Sequence, residues 1–176
     1  MLDVLLFRPY VPGVLTDKCS LGLVYVATSL ANQGVTVKII DEVVTPNWQA
    51  EVDKALDSSI VCAGVSVMTG RSIKSALEFS KRIKEKLGVP VVWGGIHPSF
   101  LPEQTLKNEY VEIVVIGEGE RSFCEIVKSL KNKQSVSHIK GIGLKENSKI
   151  HLTGKDTNYF DLNTLPVPDF GLIDTE

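Results

Sequence analysis

The sequence predicts an α/β fold: a doubly wound, five-stranded parallel sheet with helices on both faces, followed by a β-hairpin and an extended strap. Three observations carry this expectation. The apolar runs are short and β-branched. They alternate strictly with segments of helical periodicity, which is the signature of strand–helix–strand units. The third run, Ile60–Val67, is apolar on both faces, as a strand buried between two helical layers must be. With 176 residues, 43% hydrophobic and 23% charged, the chain has the profile of one globular domain, or one domain plus an appendage. A chain of this length buries roughly 70% of its unfolded surface and needs no disulfide or metal to fold.

Asp3–Phe7 is the first strand, a continuous apolar run. Leu21–Asn32 places Leu21, Val24, Tyr25, Thr28 and Ala31 on one helical face, and Gly34 supplies the stop. Val35–Ile40 reads as the second strand, Trp48–Leu56 as a short helix of weak periodicity, and Ile60–Val67 as the third strand. Arg71–Leu87 is the strongest helix. Ile73, Ala76, Leu77, Ser80, Ile83 and Leu87 form its inner stripe, Gly88 ends it, and Pro90 prevents its continuation. Val89–Trp93 is the fourth strand and runs into Gly94-Gly95. Leu101–Leu106 is a short helix with Pro102 in its first turn. Val111–Ile116 is the fifth strand, and Glu120–Leu130 a helix with Phe123, Ile126, Val127 and Leu130 inward. A flavodoxin-like strand order is the first expectation for five such units.

The pattern changes after Lys133. Ile139–Leu144 and Lys149–Leu152 alternate around Glu146-Asn147-Ser148, which reads as a hairpin. Beyond Thr153 the chain is polar, and the two prolines of Leu165-Pro166-Val167-Pro168-Asp169-Phe170 favour an extended strap. The expected division is therefore a binding domain over 1–133, a hairpin over 134–153, and a strap over 154–176 that ends like the edge of a longer protein.

Nineteen Lys and Arg against 21 Asp and Glu give a net charge of −2, which argues against a nucleic-acid or membrane-surface role. No apolar run reaches bilayer length, and the N-terminus lacks the basic start of a signal peptide. Three widely spaced cysteines, Cys19, Cys62 and Cys124, fit a reducing, cytoplasmic setting. Without CxxC or CxxxCxxC spacing, no zinc or iron–sulfur site is expected from this chain alone.

In a doubly wound sheet, ligands bind beyond the carboxyl ends of the strands. Those ends carry Arg8-Pro9, Asp41-Glu42, Ser66-Val67-Met68-Thr69-Gly70, Gly94-Gly95-Ile96-His97-Pro98 and Gly117-Glu118-Gly119-Glu120. A phosphoacceptor site is excluded, because Arg8-Pro9 and Ser66-Val67 stand where acidic residues would hold Mg²⁺. Neither GxxxxGK[ST] nor GxGxxG is present. The loop Arg8–Ser20 carries Pro9, Tyr10, Val11, Pro12 and Val14, more a wall than a phosphate cradle. What remains is a set of small residues at the ends of the third, fourth and fifth strands. Each glycine alone is explained by a turn. Together they offer bare backbone to a large or long ligand.

The order and spacing of several motifs resemble the N-terminal cobalamin-binding domain of cobalamin-dependent radical SAM proteins. They are Leu21-Gly22-Leu23-Val24-Tyr25-Val26-Ala27, Val37-Lys38-Ile39-Ile40-Asp41, Gly64-Val65-Ser66, Gly94-Gly95-Ile96-His97-Pro98, Leu101-Pro102-Glu103, Gly117-Glu118-Gly119-Glu120 and Leu165-Pro166-Val167-Pro168-Asp169. The resemblance implies cobalamin on the carboxyl edge of the sheet. Its tail would bond Ser66 and run past Gly94 and Gly95, with Gly117, Glu118, Gly119 and Glu120 over the tail or the corrin rim. Val67, Met68, Thr69, Gly70, Ile96 and His97 belong to the same implied set. His97 would either bond a propionamide or the tail, or cap the turn before Pro98.

One departure is informative. Cobalamin mutases and methionine synthase carry a cobalt-ligating His in DxHxxG after the first strand. Arg8–Ser20 has no His. The resemblance therefore implies base-off, His-off binding with no protein ligand to cobalt. The lower face would meet water or side chains such as Tyr10, Val11 or Leu15, with Pro9 in the same binding set, and Cys19 is read as a buried, inert thiol in preference to a thiolate ligand. No residue of this chain is expected to be catalytic. The implied parent is a radical SAM enzyme whose downstream domain holds a [4Fe-4S] cluster and S-adenosylmethionine, with methyl transfer the first expectation and ring formation or oxidation the others. The alternatives are a nucleotide- or flavin-binding α/β domain, or a non-catalytic interaction module that kept the fold.

Overall fold

The structure is a computed structural model and describes residues 1–11, 20–154, 156 and 162–173. Its seven-stranded sheet has the order β2-β1-β3-β4-β5-β6-β7. The first five strands are parallel: β1 (Val4–Arg8), β2 (Val37–Asp41), β3 (Cys62–Ser66), β4 (Val91–Gly94) and β5 (Ile113–Val115). The chain builds to opposite sides of β1, so the switch point lies between β1 and β3, as the flavodoxin-like order requires.

The hairpin is more tightly joined than the sequence suggests. β6 (Ile142–Glu146) pairs antiparallel with β5, and β7 (Lys149–Leu152) pairs with β6. The hairpin thus continues the sheet past β5, and fully buried Ile142 and nearly buried Leu144 join the core. Glu146 pairs with Lys149, leaving a two-residue turn. Asn147 and Ser148 both have positive φ, 49° and 63°, the geometry whose twist matches an antiparallel pair.

The helices are α1 (Leu21–Ala31), α2 (Trp48–Ala55), α3 (Ser72–Leu87), α4 (Ile96–Phe100), α5 (Pro102–Leu106) and α6 (Glu120–Lys131). Strand pleating splits the core in two. Val4, Leu6, Cys62 and Val92 face α1 and α6, while Leu5, Phe7, Val65, Val67 and Trp93 face α2 and α3. On the second face Phe7 stacks on Phe79 at 4.6 Å, and Trp48 tilts against Phe7 at 4.7 Å. Trp93 is core as expected. Its indole N–H donates to Ser80 Oγ at 2.9 Å, and that hydroxyl donates to the Ala76 carbonyl. Phe79, absent from the expected stripe of α3, is its largest fully buried side chain.

α1 is rotated from its expected face. Leu23, Val24, Ala27, Thr28 and Leu30 are buried, while Leu21 is half exposed. Its sequence is apolar nearly all round, so periodicity could not choose a face. α4 was not expected, because Pro98 falls inside it. Proline fits there because the first turn of a helix has no internal acceptor for its N–H groups.

Asp41 and Glu42 orient loops. Arg8 Nη1 lies 2.8 Å from Asp41 Oδ2, a carboxylate only 4% exposed. Glu42 accepts from the Tyr10 N–H at 2.7 Å and from Ser75 Oγ at 2.9 Å. These bonds fix the exit of β1. The strap crosses α1: the Asp169 N–H donates to Thr28 Oγ1 at 2.9 Å, and Ile173 forms a parallel bridge with Ile39 on the outer edge of β2. Among the described residues no helix is long and apolar enough to cross a membrane.

Replacing Phe79 with Ala removes the ring that stacks on Phe7 in the aromatic cluster. The expected cost is about 3–5 kcal/mol, read as a lowered midpoint in urea unfolding.

Candidate cofactor-binding site

A groove of about 210 Å³ opens at the carboxyl edge of the sheet, on the face covered by α1 and α6. Its inner part is apolar: Leu6, Gly64, Val65, Val92 and Val115 from the strands, and Phe123 from α6. Gly22, Leu23 and Val26 of α1 supply one side. Ser66, Gly94, Gly95, Gly117, Glu118, Gly119 and Glu120 complete the lining.

The shape follows from missing side chains. A Cβ on Gly64 would lie 2.7 Å from Leu6 Cδ2 and 2.9 Å from Phe123 Cζ, so only glycine lets Phe123 settle this close to the sheet. A Cβ on Gly22 would meet nothing within 4 Å, so this position keeps a slot open beside the strands. Gly95 has φ +94°, and a Cβ there would sit 2.9 Å from the Val67 carbonyl. That turn tolerates no other residue without strain.

Polar groups are few. The Ser66 hydroxyl makes no hydrogen bond to any described residue and is available to a ligand. α6 begins at the groove without a side-chain cap, so its first-turn N–H groups keep the positive end of the helix dipole at the slot. Glu118 and Glu120 add carboxylate acceptors. The groove therefore suits a ligand with an apolar end in its inner part and polar groups toward the rim.

Of the residues that the sequence singled out, seven come together here: Ser66, Gly94, Gly95, Gly117, Glu118, Gly119 and Glu120. Among the described residues, the others do not line the groove. Val67 has the opposite pleat and is fully buried on the α3 side. Met68, Thr69 and Gly70 are exposed beyond it, and Ile96 is exposed at the start of α4. Pro9 is buried, Tyr10 exposed and Val11 half-buried. Leu15 and Cys19 lie outside the described residues. Sequence reasoning missed Leu6, Gly22, Leu23, Val26, Gly64, Val65, Val92, Val115 and Phe123. Glycine inside an apolar strand or helix was the signal available, since it marks close approach or open space.

Cys62 and Cys124 are free, buried thiols that desolvation pushes up to about 12, so neither is a reactive thiolate. Among the described residues no group of three or more His, Cys, Asp or Glu side chains is placed to hold a metal ion. His97 is buried, with Nδ1 3.3 Å from Thr69 Oγ1 and its ring 6.5 Å from Trp93. Burial lowers its pKa below the ordinary 6.5. The folded state thus resists protonation more than the unfolded state does, so stability is full above about pH 6.5 and is lost as pH falls toward the folded pKa. Urea midpoints measured between about pH 7.5 and pH 5.5 are expected to fall in the wild type, and to fall less in His97→Asn.

The chain resembles several known proteins. It is 32% identical over 157 residues to an uncharacterized methyltransferase, PH0819, of Pyrococcus horikoshii, a match that covers 87% of this chain and 34% of that protein. The chain thus spans about a third of that relative's length. Its fold matches the radical S-adenosylmethionine methyltransferase TsrM of Kitasatospora setae, solved with cobalamin and a [4Fe-4S] cluster bound. The TM-score is 0.76 at 20% identity, covering 96% of this chain and 32% of TsrM. It also matches the cobalamin-dependent S-adenosylmethionine radical enzyme OxsB, solved with aqua-cobalamin and S-adenosylmethionine. There the TM-score is 0.75 at 22% identity, covering 95% of this chain and 24% of OxsB. The family model described as the B12 binding domain matches residues 11–127, which contain every strand end of the groove except that of β1. On that match the chain belongs to the B12-binding domain family.

Proposed function

We propose that this chain binds cobalamin base-off and His-off, with the nucleotide tail in the groove between the sheet, α1 and α6, and that it is the cofactor-carrying part of a radical SAM methyltransferase. The observation that carries this reading is the run of bare main chain at the ends of β3, β4 and β5, next to the slot that Gly22 leaves open. The residues fit the group. Leu6, Gly64, Val92, Val115 and Phe123 suit the apolar base at the end of the tail. Ser66 offers a free hydroxyl to its polar atoms, and the first-turn N–H groups of α6 offer further donors beside the Glu118 and Glu120 carboxylates. Glu118 and Glu120 accept from amide or hydroxyl donors at the corrin rim.

No histidine occurs between Arg8 and Ser20, so the exit of β1 brings no imidazole toward cobalt. A tail held inside the groove also keeps its own base away from the metal. When bound, the cofactor supplies methyl-carrier or electron-transfer chemistry, and the protein supplies orientation and axial environment. TsrM and OxsB, together with the methyltransferase relative, support a downstream domain that holds a [4Fe-4S] cluster and S-adenosylmethionine. The strap over 162–173 would lead toward it. The two free, buried thiols support a reducing, cytoplasmic setting.

Three experiments test the reading. Protein mixed with hydroxocobalamin and desalted is expected to keep the cofactor's absorbance in stoichiometric amount, whereas colourless protein rejects cobalamin binding. EPR of the reduced complex is expected to lack nitrogen superhyperfine splitting, and its presence contradicts the base-off, His-off assignment. Gly22→Leu fills the slot at an open helical position. It is expected to weaken cobalamin binding by roughly tenfold or more with an unchanged melting temperature, read by equilibrium dialysis and thermal unfolding.

A further inference from the structure

We propose that α4 is a clamp that sets the groove's width, with Ser99 and His97 as positioning residues that never line it. The inference rests on the cobalamin reading above and assigns the clamp to the tail. The groove is bounded by three separate loops, those following β3, β4 and β5. Loops that carry glycine are intrinsically loose, so something must hold their spacing. The hydrogen bonds of α4 do this.

Ser99 joins two of the loops. Its hydroxyl donates to the Gly95 carbonyl at 2.7 Å and accepts the Gly117 N–H at 2.9 Å. Gly95 and Gly117 both line the groove, and Ser99 does not. Among the described residues no other side-chain hydrogen bond connects the loop after β4 to the loop after β5. The Gly117 N–H belongs to an exposed residue with φ +87°, and among the described residues Ser99 is its hydrogen-bond partner.

His97 and Val67 join the remaining pair. The Val67 N–H donates to the Gly94 carbonyl at 2.8 Å, and the Val67 carbonyl accepts the His97 N–H at 3.0 Å. The two bonds bracket Gly95. The buried His97 ring then reaches Thr69 Oγ1 at 3.3 Å and pins the far end of the loop that begins at Ser66. One short helix thus couples all three loops from behind, and the ligand-facing surface is left as backbone.

The test compares hydroxocobalamin with dicyanocobinamide, a corrinoid without the nucleotide tail. Wild-type chain is expected to bind cobalamin more tightly than cobinamide. Ser99→Ala is expected to lose roughly tenfold in affinity for cobalamin and much less for cobinamide, while Ser99→Thr, which keeps the hydroxyl, stays close to wild type. Thr69→Val, on an exposed loop that does not threaten folding, is expected to lose about threefold for cobalamin alone. Wild-type cobalamin affinity in both Ser99→Ala and Thr69→Val overturns the clamp, as does an equal loss for both corrinoids. If Ser99→Ala does not fold, Thr69→Val decides by the same criteria. A wild-type chain that holds neither corrinoid overturns the cobalamin reading and the clamp with it.

Discussion

Three parallel strands run out side by side, and Ser66, Gly94 and Gly117, at or just beyond their ends, carry almost no side chain. β3 closes on Ser66, β4 on Gly94, and the turn after β5 on Gly117. The exposed backbone at that rim is the constraint on which the rest depends. It cannot collapse under neighbouring side chains, because the register of β3 with β4 holds Ser66 beside Gly94. On the side of α1 and α6 it stays open. Gly22 adds no bulk from α1, and Gly64 fixes how close Phe123 of α6 comes. The groove is therefore a product of sheet geometry and deleted Cβ atoms more than of any polar constellation.

The pleat then decides what the groove is made of. Alternate residues of β3 and β4 point to opposite layers. Gly64, Ser66, Val92 and Gly94 share the α1/α6 side. Val67 and Trp93 support them from the α2/α3 side, where Phe7, Trp48 and Phe79 form a rigid aromatic layer. This arrangement separates tasks. One face of the sheet supplies packing energy, and the other gives up packing at its carboxyl edge to make room for a ligand. The Arg8–Asp41 pair and the Glu42 bonds hold the exit of β1, and the strap spans α1 from Thr28 to the edge of β2.

Much of this was legible in the sequence. The five parallel strands were readable because their runs are apolar and end in glycine or polar clusters. The mouth of the groove was readable because glycines recur after three strands. Its inner part was not. Leu6, Val92, Val115 and Phe123 read as ordinary core, and only the fold shows that their packing stops short of the rim. The face of α1 was hidden by a sequence that is apolar on all sides. α4 was hidden by Pro98, whose tolerance in a first turn depends on where the helix starts. The pairing of β6 with β5 is a long-range choice that no local pattern announces.

The most direct measurement is an experimental structure of this chain with hydroxocobalamin. The expected result is the nucleotide tail lying between Gly22, Gly64 and Ser66, its base against Val92 and Phe123, and the corrin over the ends of β3, β4 and β5. A corrinoid bound elsewhere, with the groove filled by protein side chains, would contradict the account.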